Sequence, residues 1–215
     1  QASPLLTAVA IDVTDANSIA GAARTIGAVV GSRGLAGLVN NAGIVVPGPL
    51  EFLPLADLRR QLEINVVGQI AVTQAMLPLL RAARGRIVNM GSIGGRMATP
   101  FVGAYAASKF ALEALTDALR VEVRPWRIGV SIIEPGAIAT PIWQKSAREG
   151  ERLREAMPAE ATRLYGQALE ALRKGAARSE RDAIPPEAVV AAVVHALTAP
   201  RPRTRYVIGR RAKLQ

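Results

Sequence analysis

Residues 85–92, Gly85-Arg86-Ile87-Val88-Asn89-Met90-Gly91-Ser92, set the reading of this 215-residue chain. Gly85-Arg86 turns the chain into a short apolar strand over residues 87–89, and Gly91-Ser92 ends it. A Gly-rich loop and Pro100 follow, and residues 102–123 then carry a strongly periodic apolar pattern that predicts an amphipathic helix. An apolar run followed by an amphipathic stretch is the unit of a parallel α/β sheet.

The same unit recurs on both sides. Upstream, residues 6–11 predict a strand ending at Asp12-Val13-Thr14-Asp15, with Thr14 or Asp15 as N-cap of a helix to about residue 30. Residues 35–39 predict a second, buried strand, broken by Asn40-Asn41-Ala42-Gly43, and residues 56–83 a long helix after a Pro/Gly loop. Downstream, residues 128–134 predict a further strand closed by Pro135-Gly136. Residues 142–182 read as helical, charged and irregular, Pro185-Pro186 opens another helix to about residue 197, and residues 206–208 form a last strand. With no repeat, low-complexity tract or linker, residues 1–215 read as one domain.

Composition narrows the function classes. The chain has no cysteine and a single histidine, His195, which removes thiolate chemistry and argues against a structural zinc site. His195 itself lies in an apolar helical stretch and reads as a partly buried structural residue. A reducing compartment, the cytoplasm, is the expected location. The net charge of +10 raises the question of a polyanionic partner. Most of it is arginine beside acids on solvated helix faces, as in Arg148-Glu149. The exception is the acid-free run of Arg201, Arg203, Arg205, Arg210, Arg211 and Lys213. Without a recognition motif or stacking aromatics, no nucleic-acid partner is expected. No apolar run reaches the roughly 20 residues of a membrane span, and residues 1–4 do not start a signal peptide. The chain begins without Met, as a trimmed or partly observed protein would.

Tyr105-Ala106-Ala107-Ser108-Lys109 places a phenol and an ammonium one helical turn apart on one face. A nearby ammonium favours phenolate, so the Tyr105 pKa is expected to fall toward the working pH, as acid/base chemistry needs. Ser92, Asn40-Asn41-Ala42-Gly43 and Pro135-Gly136-Ala137-Ile138-Ala139-Thr140 each follow a strand, where open α/β sheets gather their ligands.

In this order, Asn40-Asn41-Ala42-Gly43, Asn65 in Ile-Asn-Val-Val-Gly, Gly91-Ser92, Tyr105-x-x-x-Lys109 and Pro135-Gly136 resemble the short-chain dehydrogenase/reductase family, from Asp12 to about Thr140. The resemblance implies a Rossmann-like, doubly wound parallel sheet in three α/β/α layers, and NAD or NADP as cofactor. It implies a catalytic tetrad in which Tyr105 moves the proton on the substrate oxygen and Lys109 lowers its pKa and binds the nicotinamide ribose. Ser92 would hold the substrate oxygen and Asn65 would anchor a water. By the same resemblance Asp12 and Val13 touch the adenine, Asn41, Ala42, Gly43 and Val66 line the adenosine side, and Pro135, Gly136, Ile138 and Thr140 border the nicotinamide. Asp12 also reads as a helix-start charge, Asn65 as a helix cap or interruption, and Thr140 as a turn residue before Pro141.

The sequence departs from the family at one place. No Gly-rich strand-to-helix turn precedes Asp12, and Gly91-Ser92-Ile93-Gly94-Gly95 follows the wrong strand to be that turn. The first βαβ part is therefore lacking, and the strand ending at Asp12 is left without its neighbours in the 3-2-1-4-5-6 order. A part lying outside this sequence is preferred over a truncated gene or strands donated by another chain. Coenzyme choice is hidden with it.

Residues 93–101 and 142–181 are expected to wall the substrate, with Met97, Phe101, Ile142 and Trp143 apolar and a lid near Leu164, Tyr165, Leu169 and Leu172. Ser-Ile-Gly-Gly-Arg-Met-Ala and Glu-Pro-Gly-Ala-Ile-Ala-Thr-Pro look similar to family members acting on retinoids and steroids. The expectation is an oxidoreductase interconverting a lipophilic alcohol and its carbonyl compound. The rival is a non-catalytic interaction protein that keeps the scaffold. The resemblance also implies a homodimer or homotetramer built on helices 56–83 and 102–123.

Overall fold

The computed structural model describes residues 5–209. Strands β1 (Gly37–Asn40), β2 (Arg86–Met90), β3 (Gly129–Pro135) and β4 (Arg205–Ile208) form one parallel sheet in chain order. Parallel neighbours require crossovers, and each carries helices. Helix α1 (Ala16–Val30) precedes β1. Helices α2 (Leu55–Leu62) and α3 (Gly68–Ala83), joined by a π turn (Glu63–Val67), link β1 to β2, and α4 (Gly103–Glu122) links β2 to β3. Helices α5 (Ile142–Ala156), α6 (Ala159–Arg181) and α7 (Glu187–Thr198) link β3 to β4.

Successive strand residues point to opposite faces, and here both faces are covered. Ile87 and Val130 pack with Ile19, Val72, Met76 and Leu80 from α1 and α3. Val88 and Ile133 pack on the other face with Ala192 and Ala196 of α7 and with Tyr206. This is why β2 and β3 show no apolar-polar alternation and are buried on both faces, the polar Asn89, Ser131 and Glu134 included. Each such side chain contributes about 1.5–3 kcal/mol by leaving water. The three-layer α/β/α arrangement is the one the resemblance implies.

Four expectations are corrected. Residues 6–11 form no strand, and Leu5 and Leu6 are 91% and 75% exposed. No described strand pairs with this segment. The strand expected over 35–39 begins at Gly37 and is only half buried, because no helix covers Val39 on the α7 side. Residues 142–182 are regular, forming two helices parted at Met157-Pro158, where the proline ring cannot continue the first. Finally, the continuous helical run of residues 55–83 is long and apolar enough, by length and composition alone, to cross a membrane. Its buried polar side chains Gln61, Asn65, Gln69 and Thr73 are hydrogen-bonded to the rest of the domain.

The basic C-terminus also differs from its linear appearance. Arg205 is paired in space with Glu113 and Asp117 of α4, while Arg201 and Arg203 are exposed. Arg210, Arg211 and Lys213 lie outside the described residues.

Candidate active site

Because β1, β2 and β3 are parallel, the segments after Asn40, Met90 and Pro135 emerge at one edge of the sheet. A buried chain of amides ties the strands together below that edge. Asn40 Nδ2 donates to Thr73 Oγ1 (2.8 Å) and to Asn89 Oδ1 (2.9 Å), and Asn89 Nδ2 donates to Thr116 Oγ1 (2.8 Å). It runs from α3 through two strands to α4.

The segment after β1 is held by buried polar residues spaced four apart along the helical run. Gln61 accepts from Val46 N and donates to Ile44 O, Asn65 accepts from Ile44 N and donates to Ile44 O, and Gln69 donates to Ala42 O. A regular α-helix would rotate such a stripe by about 40° every four residues. The wider π turn at Glu63–Val67 reduces that drift and keeps Asn65, which is wholly buried, aimed at the loop. Asn65 thus interrupts the helix and holds the site at once.

Ser92 is the N-cap of a short 3-10 turn (Ile93–Gly95), and its Oγ accepts from Gly94 N at 3.1 Å. That leaves its own O–H to donate. Tyr105 in the first turn of α4 is its neighbour: a Cβ at Gly94 would lie 3.4 Å from Ser92 Oγ and 3.2 Å from Tyr105 Cε1. Lys109 stands one turn on, its Nζ 5.7 Å from the centre of the Tyr105 ring and donating to Met90 O at 2.7 Å. Asn65 Nδ2 donates to Ser108 Oγ at 3.1 Å. The structure therefore brings Asn65, Ser92, Tyr105 and Lys109 into one cluster.

The electrostatics correct one expectation. Burial pushes the Tyr105 phenol above its ordinary value, with the neighbouring Ser92 side chain opposing, and Lys109 is not what shifts it. Burial also pushes Lys109 down to about 8, so its ammonium holds its charge weakly.

On the cofactor side, Asn41, Ala42 and Gly43 are exposed at the end of β1. Val13 packs on Gly68, where a Cβ would lie 2.6 Å from Val13 O, so the Asp12-Val13 turn sits over the start of α3 near Val66. Asp15, not Thr14, is the N-cap of α1. Asp12 is exposed, and its carboxylate accepts from the backbone N–H and hydroxyl of Thr14, which hold it below the usual carboxylate range. Pro135 and Gly136 close β3, with Gly136 N donating to Ile208 O, while Ile138 pairs with Ile184. The buried Lys109 has no ion-pair partner among the described residues and spends one N–H on Met90 O, leaving two donors. That donor set fits the hydroxyls of a nicotinamide ribose.

On the substrate side, Thr140 and Trp143 line a cleft of about 280 Å³ with Ala139, Pro141, Gln144 and Glu180. Trp143 Nε1 donates to Ile138 O. Tyr165 of α6 meets Phe101 and Phe52 edge to face at 6.0 Å each and donates to Glu51 at 2.5 Å. Met97, Ile142 and Leu164 are exposed. His195 is exposed, not partly buried, because only its ring edge is used, Nδ1 lying 2.8 Å from the Tyr206 hydroxyl.

Sequence reasoning missed Gln61, Gln69, Thr73 and Ser108, and Glu51 and Phe52, which contact Tyr165. The four-residue spacing of Gln61, Asn65, Gln69 and Thr73 was the available signal. It also missed Glu113, Arg96 and Glu134, whose pairing joins segments far apart in the chain.

The family model for short chain dehydrogenases matches residues 1–151. The chain is 42% identical over 221 residues to retinol dehydrogenase 16 of Mus musculus, spanning 99% of this chain and 68% of that protein. It is 41% identical over 222 residues to 17-beta-hydroxysteroid dehydrogenase type 6 of Homo sapiens, again spanning 99% and 68%. A short chain dehydrogenase from Burkholderia cenocepacia J2315, solved in complex with NADP, has the same fold at a TM-score of 0.73 and 26% identity. That match covers 99% of this chain and 73% of the other. The chain belongs to the short chain dehydrogenase family, whose members are oxidoreductases using NAD or NADP.

Proposed function

We propose that this chain interconverts a lipophilic alcohol and its ketone or aldehyde, with Tyr105 as the acid/base. The observation that carries the reading is the contact of Tyr105 with Ser92, one turn from the buried, unpaired Lys109. The cofactor, when bound, takes or gives the hydride at the carbinol carbon. Tyr105 moves the proton at the substrate oxygen, and Ser92, whose Oγ already accepts from Gly94 N, donates its O–H to the same atom. Lys109 gives its two remaining N–H groups to the ribose. A charge there favours the phenolate that burial disfavours. Asp12, Val13, Asn41, Ala42, Gly43 and Val66 serve the adenosine side, and Pro135, Gly136, Ile138 and Thr140 the nicotinamide side.

The lipophilic assignment draws on the names of the retinol and 17-beta-hydroxysteroid relatives and on the apolar side chains of Phe101, Ile142 and Trp143. A homo-oligomer is part of the same reading, supported by exposed Val67, Phe110, Leu115 and Val121 on the long helices. The test is turnover of all-trans-retinol and a 17β-hydroxysteroid with NAD⁺ and NADP⁺, followed at 340 nm, beside a fluorescence titration of each dinucleotide. Turnover lost in Tyr105→Phe supports the proposal. Binding of neither dinucleotide, with no turnover, favours a scaffold with interaction duties instead.

A further inference from the structure

Glu134, the penultimate residue of β3, is wholly buried. Arg96 reaches it with both arms of its guanidinium. Nη2 donates to Oε1 at 2.9 Å, and Nε lies 2.8 Å from Oε2 without aiming its N–H there. Arg96 ends the short turn that Ser92 begins. That turn lies flush on α4. A Cβ at Gly95 would come within 3.0 Å of Lys109 O and 3.2 Å of Glu113 Cγ, and one at Gly94 within 3.2 Å of Tyr105 Cε1. Ser92 has no slack independent of Arg96 and α4.

Glu113 follows Lys109 by one helical turn and Tyr105 by two, on the same face. Its Oε2 accepts from Arg205 Nε at 3.2 Å, while its Oε1 and Oε2 of Glu134 are buried with no hydrogen-bond donor. Both carboxylates approach Arg205 Nε, Glu113 Oε2 at 3.2 Å and Glu134 Oε1 at 3.5 Å, so the two groups are neighbours, and one proton on Glu113, donated to Glu134, would answer both donorless oxygens.

We infer that Glu113 is a positioning residue of this active site: hydrogen-bonded to Glu134, it sets through Arg96 where the Ser92 turn sits against Tyr105. The inference rests on the Ser92–Tyr105 reading above. The charged groups facing the pair are Arg96 from the Ser92 turn, Arg205 from β4, and Asp117 of α4 with its partner Arg120. Burial and the neighbouring Glu134 raise Glu113 to about 7, with Arg205 opposing. Below that pH the carboxyls are bonded. Above it, two carboxylates repel and the Ser92 turn loses its seat.

Glu113→Gln supplies an N–H to Glu134 at every pH, and Glu113→Ala supplies none. Three readouts are taken on the full chain, the first and third from about pH 5.5 to 9 and the second from about pH 8 to 12, because burial raises the phenol. They are the infrared band of protonated carboxyl, the ionisation of Tyr105 by ultraviolet difference against Tyr105→Phe, and kcat with KM. The expected wild-type carboxyl band fades with a midpoint near pH 7 and is missing in Glu113→Gln. The kcat ratio of Glu113→Gln to wild type should be near one at pH 6 and rise several-fold by pH 8.5 with KM unmoved. Glu113→Ala should lose on the order of tenfold in kcat throughout, as a misplaced group does, and raise the Tyr105 pKa. No band titrating near 7, or a flat ratio beside an inactive Tyr105→Phe, overturns the inference. Full activity in Tyr105→Phe removes the site reading itself, and the Tyr105 ionisation in Glu113→Ala then still reports whether Ser92 has moved; an unshifted ionisation overturns the inference.

Discussion

Asn65 Nδ2 donates to Ser108 Oγ across 3.1 Å, and this bond fastens the π turn of the long helix to the turn of α4 lying between Tyr105 and Lys109. Ser108 Oγ in turn donates to Tyr105 O at 2.7 Å, and Asn65 Oδ1 accepts from Ile44 N at 2.8 Å. The segment after β1, the interrupted helix and the catalytic helix thus share one buried side chain.

Replacing Asn65 with leucine keeps the branched shape and removes its bonds to Ser108 and Ile44. The Ile44 N–H is left without its acceptor, at a cost of about 1–3 kcal/mol, while Ile44 O keeps its bond from Gln61. Urea denaturation should show destabilisation of that order, and kcat should fall because α4 and the Asn41–Gly43 segment are no longer in register. Unchanged stability would remove Asn65 from this role.

Tyr105→Phe keeps the ring and removes only the proton-carrying oxygen. Turnover should drop by about 10²–10⁴, the usual worth of acid/base catalysis, with dinucleotide affinity changed only a few-fold. Steady-state rates beside fluorescence titration separate the two effects.

Lys109 gives a signed pH prediction. Its folded pKa, about 8, lies below the unfolded value of 10.5, so between them the unfolded chain binds more protons. Stability should therefore rise with pH from about 8 toward 10.5 as far as this residue is concerned. Lys109→Met should flatten that slope in melts across the window. A slope unchanged by the substitution would show that the ammonium is not desolvated.

Gly68→Ala places a methyl 2.6 Å from Val13 O, a backbone atom that must move. Overpacking of this kind costs about 1–3 kcal/mol. The displaced Asp12-Val13 turn should weaken dinucleotide binding more than it alters kcat. Titration of the variant with NAD⁺ and NADP⁺ checks this, and unaltered affinity would detach the turn from the adenosine side.

Tyr165→Phe removes the hydrogen bond to Glu51 but keeps both ring contacts. If α6 closes over a lipophilic substrate, KM for retinol should rise severalfold with kcat nearly constant. A kcat effect without a KM effect would place Tyr165 elsewhere in the cycle.

Much of the site was legible along the chain because its chemistry is local. Tyr105 and Lys109 share a face by helical spacing alone, and Ser92 and Pro135-Gly136 mark strand ends by composition. The strand over 6–11 was misread because a strand is a relation between two segments, and Leu6 has no described partner to pair with. The Tyr105 shift was misjudged in sign because spacing reveals a neighbouring charge but not burial, and burial is the larger influence here.

The sequence alone determined the parallel α/β class and the shared face of Tyr105 and Lys109, since hydrophobic period, turn residues and helical spacing act over a few residues, while the tetrad was what the family resemblance implied. Only the tertiary structure decided that Glu113, Glu134, Arg96 and Arg205 converge behind that tetrad. Those four come from a helix, two strands and a turn spread over more than a hundred residues, and no local pattern encodes which charges the packed sheet brings together and strips of water.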